Sequence, residues 1–144
     1  MSDFRPLSAQ FSVAPQIGIE DVAEAKAQGF AMVVNNRPDG EEPAAPQGEQ
    51  IGTACAAEGL AYAAIPIGHA GFSHAQIDAL DKLLTSATGP ILAYCRSGTR
   101  SAHLWARTRA RAGDDVGGIV EAAAKAGYDL SGLRPMLDAL SGEK

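Results

Sequence analysis

Apolar residues recur along this chain in two rhythms. Short, nearly unbroken apolar runs at residues 11–14, 30–34, 60–67 and 90–94 alternate with longer stretches where apolar residues return every three or four positions. The first rhythm is that of a buried strand, the second that of a helix with one face on a core. Helical spacing covers residues 17–28 through Ile19, Val22, Ala23 and Ala27, then residues 47–58, with Gly29 and Gly59 as natural stops. Ser73 and Gln76 have capping-box spacing ahead of a helix that turns Ile77, Leu80, Leu83 and Leu84 inward. Residues 100–112 follow, stopped at Gly113, then a small-residue helix at 116–126 and a last one capped by Ser131 and running through Leu140. The run at 11–14, closed by Pro15, predicts a short edge strand. Strand and helix in alternation predict a three-layer α/β domain with a mainly parallel central sheet, the last two helices covering one of its faces.

Composition narrows the functional classes. With 144 residues, 46% of them hydrophobic, one domain over residues 1–144 with its core at about 9–140 is expected. A net charge of −5 gives no bulk attraction to nucleic acid or to an anionic membrane. Locally the balance inverts: no acidic residue lies between Asp81 and Asp114, an interval holding Arg96, Arg100, Arg107, Arg109 and Arg111. Such a window suits a small anionic substrate, while Arg107 and Arg111 fit a solvated arginine face equally well. Two cysteines make neither a disulfide framework nor a zinc cluster, and the three histidines add no metal-ligand spacing, so neither metal nor cofactor is expected. The N-terminus lacks the apolar run of a signal peptide and no segment is long and apolar enough to span a membrane, which predicts a cytoplasmic protein.

The chemistry concentrates where the fourth apolar run ends. Residues 90–94 lead straight into Cys95-Arg-Ser-Gly-Thr-Arg100-Ser101, placing a cysteine at a strand-to-helix turn. Free backbone N–H groups and the positive end of a helix dipole converge there, a setting that favours a thiolate and hence a nucleophile. Arg100 can offer a planar fork of donors to an oxyanion held by Arg96, Ser97, Gly98 and Thr99, and Ser101 can add a hydroxyl to the sulfur. Cys55, among Thr53, Ala54, Ala56 and Ala57, reads as packing.

The Cys95–Ser101 motif, together with Asn35-Asn-Arg-Pro-Asp-Gly-Glu-Glu-Pro43, resembles the bacterial beta-lactamase-hydrolase-like family, specifically its phosphatase-like domain, over residues 11–137. The resemblance implies a fold like that of protein tyrosine and dual-specificity phosphatases, with a cysteine loop spaced as in rhodaneses. It also implies that the charged loop after residue 34 borders the site. Family members occur alone or fused to persulfide dioxygenase domains, which suggests such an enzyme as a functional partner of this shorter chain.

Loop spacing then separates two chemistries. Cysteine phosphatases place the arginine six positions after the cysteine and a histidine before it; here the arginine comes five positions after and Tyr94 precedes. One amide fewer suits a phosphoryl group less well than a single sulfur atom on Cys95. In the loop that supplies a phosphatase's general acid, His69 stands where an aspartate is usual, with Asp39 as the competing candidate. Sulfur transfer needs no such acid, because thiosulfate or a persulfide expels a stable anion. These points favour a rhodanese-like sulfurtransferase moving sulfur from thiosulfate or a persulfide to a thiol acceptor; the resemblance implies glutathione, thiosulfate or cyanide as substrates. A cysteine phosphatase acting on a phosphate ester, and a non-catalytic sulfide or redox sensor, are the alternatives.

Overall fold

The computed structural model describes residues 3–68 and 70–142. Its centre is a five-stranded sheet of β1 (Arg5–Ser8), β2 (Phe11–Ala14), β3 (Met32–Asn35), β4 (Ala61–Ala64) and β5 (Ile91–Tyr94), in the order β1-β2-β5-β3-β4. Every neighbouring pair is parallel except the β1–β2 hairpin. The sheet is thus mixed and mostly parallel, as the alternation of rhythms implies.

Strand polarity is written in the side chains. Phe11, Val13, Val34, Ile91 and Ala93 enter a core on one face, and Ala14, Val33, Leu92 and Tyr94 enter a second core on the other. Interior parallel strands are buried on both faces, so their sequences read as continuous apolar runs. The second core is closed by α1 (Ile19–Ala27) and α2 (Gly48–Glu58), through Val22, Ala25, Ile51 and Cys55. On the first face lie α3 (His74–Ser86), α4 (Thr99–Ala112), α5 (Val116–Lys125) and α6 (Arg134–Ser141). Helix α4 is the hub, packed by α3, α5 and α6, with Trp105 stacked on Phe11 at 6.4 Å.

Helix ends follow local chemistry. The capping box of α3 is present: Gln76 N–H donates to Ser73 Oγ at 3.3 Å, and Ser73 N–H to Gln76 Oε1 at 2.8 Å. Gly113, at φ 103°, ends α4 in the left-handed conformation.

Two expectations are corrected. β2 is not an edge strand: β1 pairs with it antiparallel and covers that edge. Pro6 hides β1 in the sequence, since proline suits a sheet only at an edge, which is where β1 lies. Ser131 does not cap the last helix; it opens a 3-10 turn over Ser131–Leu133, and α6 begins at Arg134 with Pro135 in its first turn. The side chain of Asp129 takes the capping role instead, accepting both the N–H and the hydroxyl of Ser131.

Candidate active site

Loops leaving the carboxyl ends of β2, β3, β4 and β5 meet at one end of the sheet, the usual place for a site in a parallel α/β fold. Their backbones are tied together. Cys95 N–H reaches Ala14 O at 3.4 Å, Gln16 N–H reaches Arg96 O at 3.1 Å, Asn36 N–H reaches Tyr94 O at 2.8 Å, and Ile67 N–H reaches Asn36 O at 3.0 Å. The buried side chain of Asn36 completes the knot, donating to Ile65 O at 3.0 Å and accepting the Ser101 hydroxyl at 2.7 Å. A buried amide needs such partners, and here they fix three strand ends and the first turn of α4 relative to one another. The Ser101 hydroxyl therefore serves Asn36 and not the sulfur, a correction to its expected place on the thiolate.

Cys95 is fully buried, and its Sγ accepts the Gly98 N–H at 3.2 Å. That amide can point inward because Gly98 takes φ 92° ahead of α4, a conformation costly for other residues. A Cβ at Gly98 would also collide with the Tyr128 hydroxyl, which donates to Ser97 O at 3.0 Å and braces the turn from outside. Ser97 and Thr99 are exposed and bond each other through their hydroxyls at 2.9 Å.

Arg100 is fixed from the loop after β3. Its Nη1 and Nη2 donate to the Glu41 carboxylate at 2.8 and 2.6 Å, and Nη1 also donates to Ile67 O at 2.8 Å. Glu41 in turn accepts Arg37 Nε at 2.8 Å. Hydrogen bonds from Arg100, with Arg37 adding to them, hold the Glu41 carboxyl at about 2 against an ordinary 4.5. The Arg100 guanidinium is made more basic, first by Glu41 and then by the charge of Cys95. Its end-on edge is thus committed to Glu41. Among the described residues no protein oxygen occupies the other edge, formed by Nε–H and the second Nη2 hydrogen. A pocket of about 360 Å³, lined by Glu41, Gly68, Arg96 and Arg100, opens here.

The remaining candidates divide. Asp39 caps the start of α2, accepting Gly48 N–H at 2.8 Å, and is not among the residues lining the pocket at Arg96 and Arg100. His69 lies outside the described residues. Glu41, Asn36 and Tyr128 also hold the site, although their chemistry does not mark them as candidates in the sequence. Glu41 and Asn36 do sit inside the Asn35–Pro43 motif, whereas nothing local marks Tyr128. Cys55 lies at the bottom of the second core, its thiol pushed up to about 11 by burial.

A family model described as the phosphatase-like domain of the beta-lactamase hydrolase-like protein matches residues 3–112. A beta-lactamase hydrolase-like protein of Agrobacterium fabrum is 36% identical over 99 residues, which are 69% of this chain and 23% of that protein. The chain thus spans about a quarter of that relative's length. Among solved structures, a candidate phosphatase from Neisseria meningitidis Z2491 superposes with a TM-score of 0.85 at 29% identity, covering 97% of this chain and 99% of its own. The structure of Tk-PTP in its active form shares the fold, with a TM-score of 0.73 at 14% identity over 99% of this chain and 98% of its own.

Proposed function

Because the chain belongs to the phosphatase-like domain family of the beta-lactamase hydrolase-like proteins, we propose that it is a cysteine-dependent phosphatase acting on a small phosphate monoester. The fold it shares with cysteine phosphatases reverses the order of preference drawn from loop spacing alone. One observation carries the reading. The Cys95 sulfur lies in a turn whose amide points at it, next to a guanidinium that one carboxylate holds by its end-on edge.

In the proposed reaction the Cys95 thiolate attacks phosphorus, a sulfur–phosphorus bond forms, and the leaving oxygen departs with the electron pair of its bond to phosphorus. Arg100 and the loop amides stabilise the charge on the equatorial oxygens. Water then attacks the phosphocysteine, phosphate leaves, and the thiolate is restored while solvent takes the proton. Glu41 stays ionised at neutral pH and positions Arg100 without serving as an acid. Asp39 is committed to α2.

Sulfur transfer is kept as a second reading by one feature, the four residues between Cys95 and Arg100, where phosphatases have five. Intact-mass and peptide analysis of Cys95 separates the two. The protein is exposed to p-nitrophenyl phosphate, whose leaving group departs without a proton, and separately to thiosulfate. A phosphoryl adduct on Cys95 with release of nitrophenolate supports the phosphatase. A sulfur adduct from thiosulfate with no aryl phosphate cleavage overturns it in favour of the sulfurtransferase.

A further inference from the structure

Arg107 does not lie on a solvated face, one of the two readings that its place in the basic window leaves open. It is 7% exposed, and among the described residues no carboxylate pairs with it. Burial makes its guanidinium less basic. One hydrogen bond is in place, from Nη1 to His103 O at 3.1 Å, and the guanidinium carbon lies 3.8 Å from the centroid of the Phe72 ring. Phe72 covers the flat face of the cation. Its edge, with Nε–H and Nη2, has no hydrogen-bond partner among the described residues. A buried charge without a counter-charge is expensive, and proteins keep one where something else neutralises it.

A pocket of about 210 Å³ lies against this arginine, lined also by Phe72, Ser73, His74, Ile77, Met136 and Leu140. Two further features mark it. The first turn of α3, a helix of 13 residues, opens at Ser73 and His74. There the Ser73 hydroxyl takes the Gln76 N–H, while the N–H groups of His74 and Ala75 have no partner among the described residues. Met136 on the rim is 38% exposed, one of two large hydrophobic residues so exposed among those described. The pocket therefore combines a cationic donor and helix N–H groups with apolar walls from α3 and α6.

We propose that this pocket binds a small amphiphilic carboxylate, a short acyl or aryl acid, with its carboxylate on the Arg107 edge and the first turn of α3 and its hydrocarbon against Ile77, Met136 and Leu140. A flat two-oxygen anion matches the guanidinium edge. The volume admits a chain of about six carbons, small for a ligand pocket. This site shares no lining residue with the pocket at Arg96 and Arg100 and does not depend on the chemistry assigned to Cys95.

The test is a titration of the ¹⁵N-labelled full chain with hexanoate, acetate and hexanol, followed by amide shifts. Hexanoate is expected to saturate with the largest shifts at residues 72–77 and 136–140. It should bind more tightly than acetate, by about fourfold for each methylene buried, and more tightly than hexanol. Arg107→Met should weaken hexanoate by roughly tenfold or more. Ala139→Trp, at an exposed position that lines the pocket, should abolish binding without unfolding the chain, which covers the case where the Arg107 variant fails to fold. Equal affinity for hexanol, shifts confined to residues 95–100, binding that survives Ala139→Trp, or no saturable binding at all would each overturn the proposal.

Discussion

Both cysteines of this protein are completely buried, yet they are placed for opposite ends. Cys55 lies on α2 in the core that also holds Val33, Ile51, Leu92 and Tyr94, and among the described residues no hydrogen bond or ion pair reaches its sulfur. Its thiol is pushed up to about 11 by burial alone. Cys95 directly follows β5 and meets an inward-pointing amide and the guanidinium of Arg100. Burial by itself thus says nothing about reactivity. The difference lies in which dipoles and cations face the sulfur, because the charged form of a buried thiol survives only where they replace its hydration.

The largest expected effect comes from exchanging the two roles. Cys95→Ser should lower phosphatase turnover by at least about a thousandfold, the scale of losing a nucleophile. Cys55→Ala should leave turnover within about twofold and cost about 1 kcal/mol of stability as a small core truncation. Steady-state rates with p-nitrophenyl phosphate and thermal melts on both variants measure this. Full activity in Cys95→Ser would remove the distinction on which the site rests.

A middle-sized effect tests whether neighbours make the difference. Glu41→Gln removes the carboxylate that holds the end-on edge of Arg100 while keeping shape and one acceptor. Turnover should fall by roughly ten- to a hundredfold, as for a misplaced positioning group. The same pair gives a pH signature. The Glu41 carboxyl is depressed in the folded state, so its contribution to stability is complete above an ordinary 4.5 and is lost as pH falls through about 2. Acid unfolding followed from pH 5 to pH 2 should therefore separate wild type from Glu41→Gln at the upper end of that range and bring them together at the lower. Parallel curves that stay apart down to pH 2 would show that the pair is not what distinguishes them.

What the sequence revealed and what it hid divide along the same line. Apart from β1, which Pro6 hides, the strands, helices and the Cys95 turn announce themselves locally, through apolar period, the Ser73–Gln76 box and the glycines after helices. The partners of the turn come from far away: Glu41 is 59 residues from Arg100, Asn36 is 65 from Ser101, and Tyr128 is 31 from Ser97. A charged loop such as the one holding Glu41 reads as solvated surface until the fold brings it against an arginine. Asp39 was the more obvious acid in that loop, and its carboxylate went to a helix start instead. Arg107 was hidden for a related reason, since helical spacing places it on the face of Arg100 and Arg111 without showing that Phe72 covers that face.

The smallest expected effect concerns the residue that joins the two environments. Tyr94 precedes Cys95 in the chain, and its carbonyl accepts Asn36 N–H at 2.8 Å in the site's backbone knot. Its side chain points the other way, into the core that holds Cys55. There the ring is 1% exposed, and its hydroxyl has no hydrogen-bond partner among the described residues. Burial makes that hydroxyl much less acidic, so it is neutral at all working pH values. A buried polar group without a partner costs about 1–3 kcal/mol, and removing it returns part of that cost while the ring keeps its packing. Tyr94→Phe should therefore leave the melting temperature unchanged or raise it by a few degrees, about 1 kcal/mol at most. Turnover should be unaltered, because the site uses the backbone of Tyr94 and not its ring. A fall of more than about 1 kcal/mol would show that the hydroxyl is hydrogen-bonded in solution. A fall in turnover at unchanged stability would show that the two sides of β5 are coupled, and that the environment of Cys55 reaches through Tyr94 to the sulfur of Cys95.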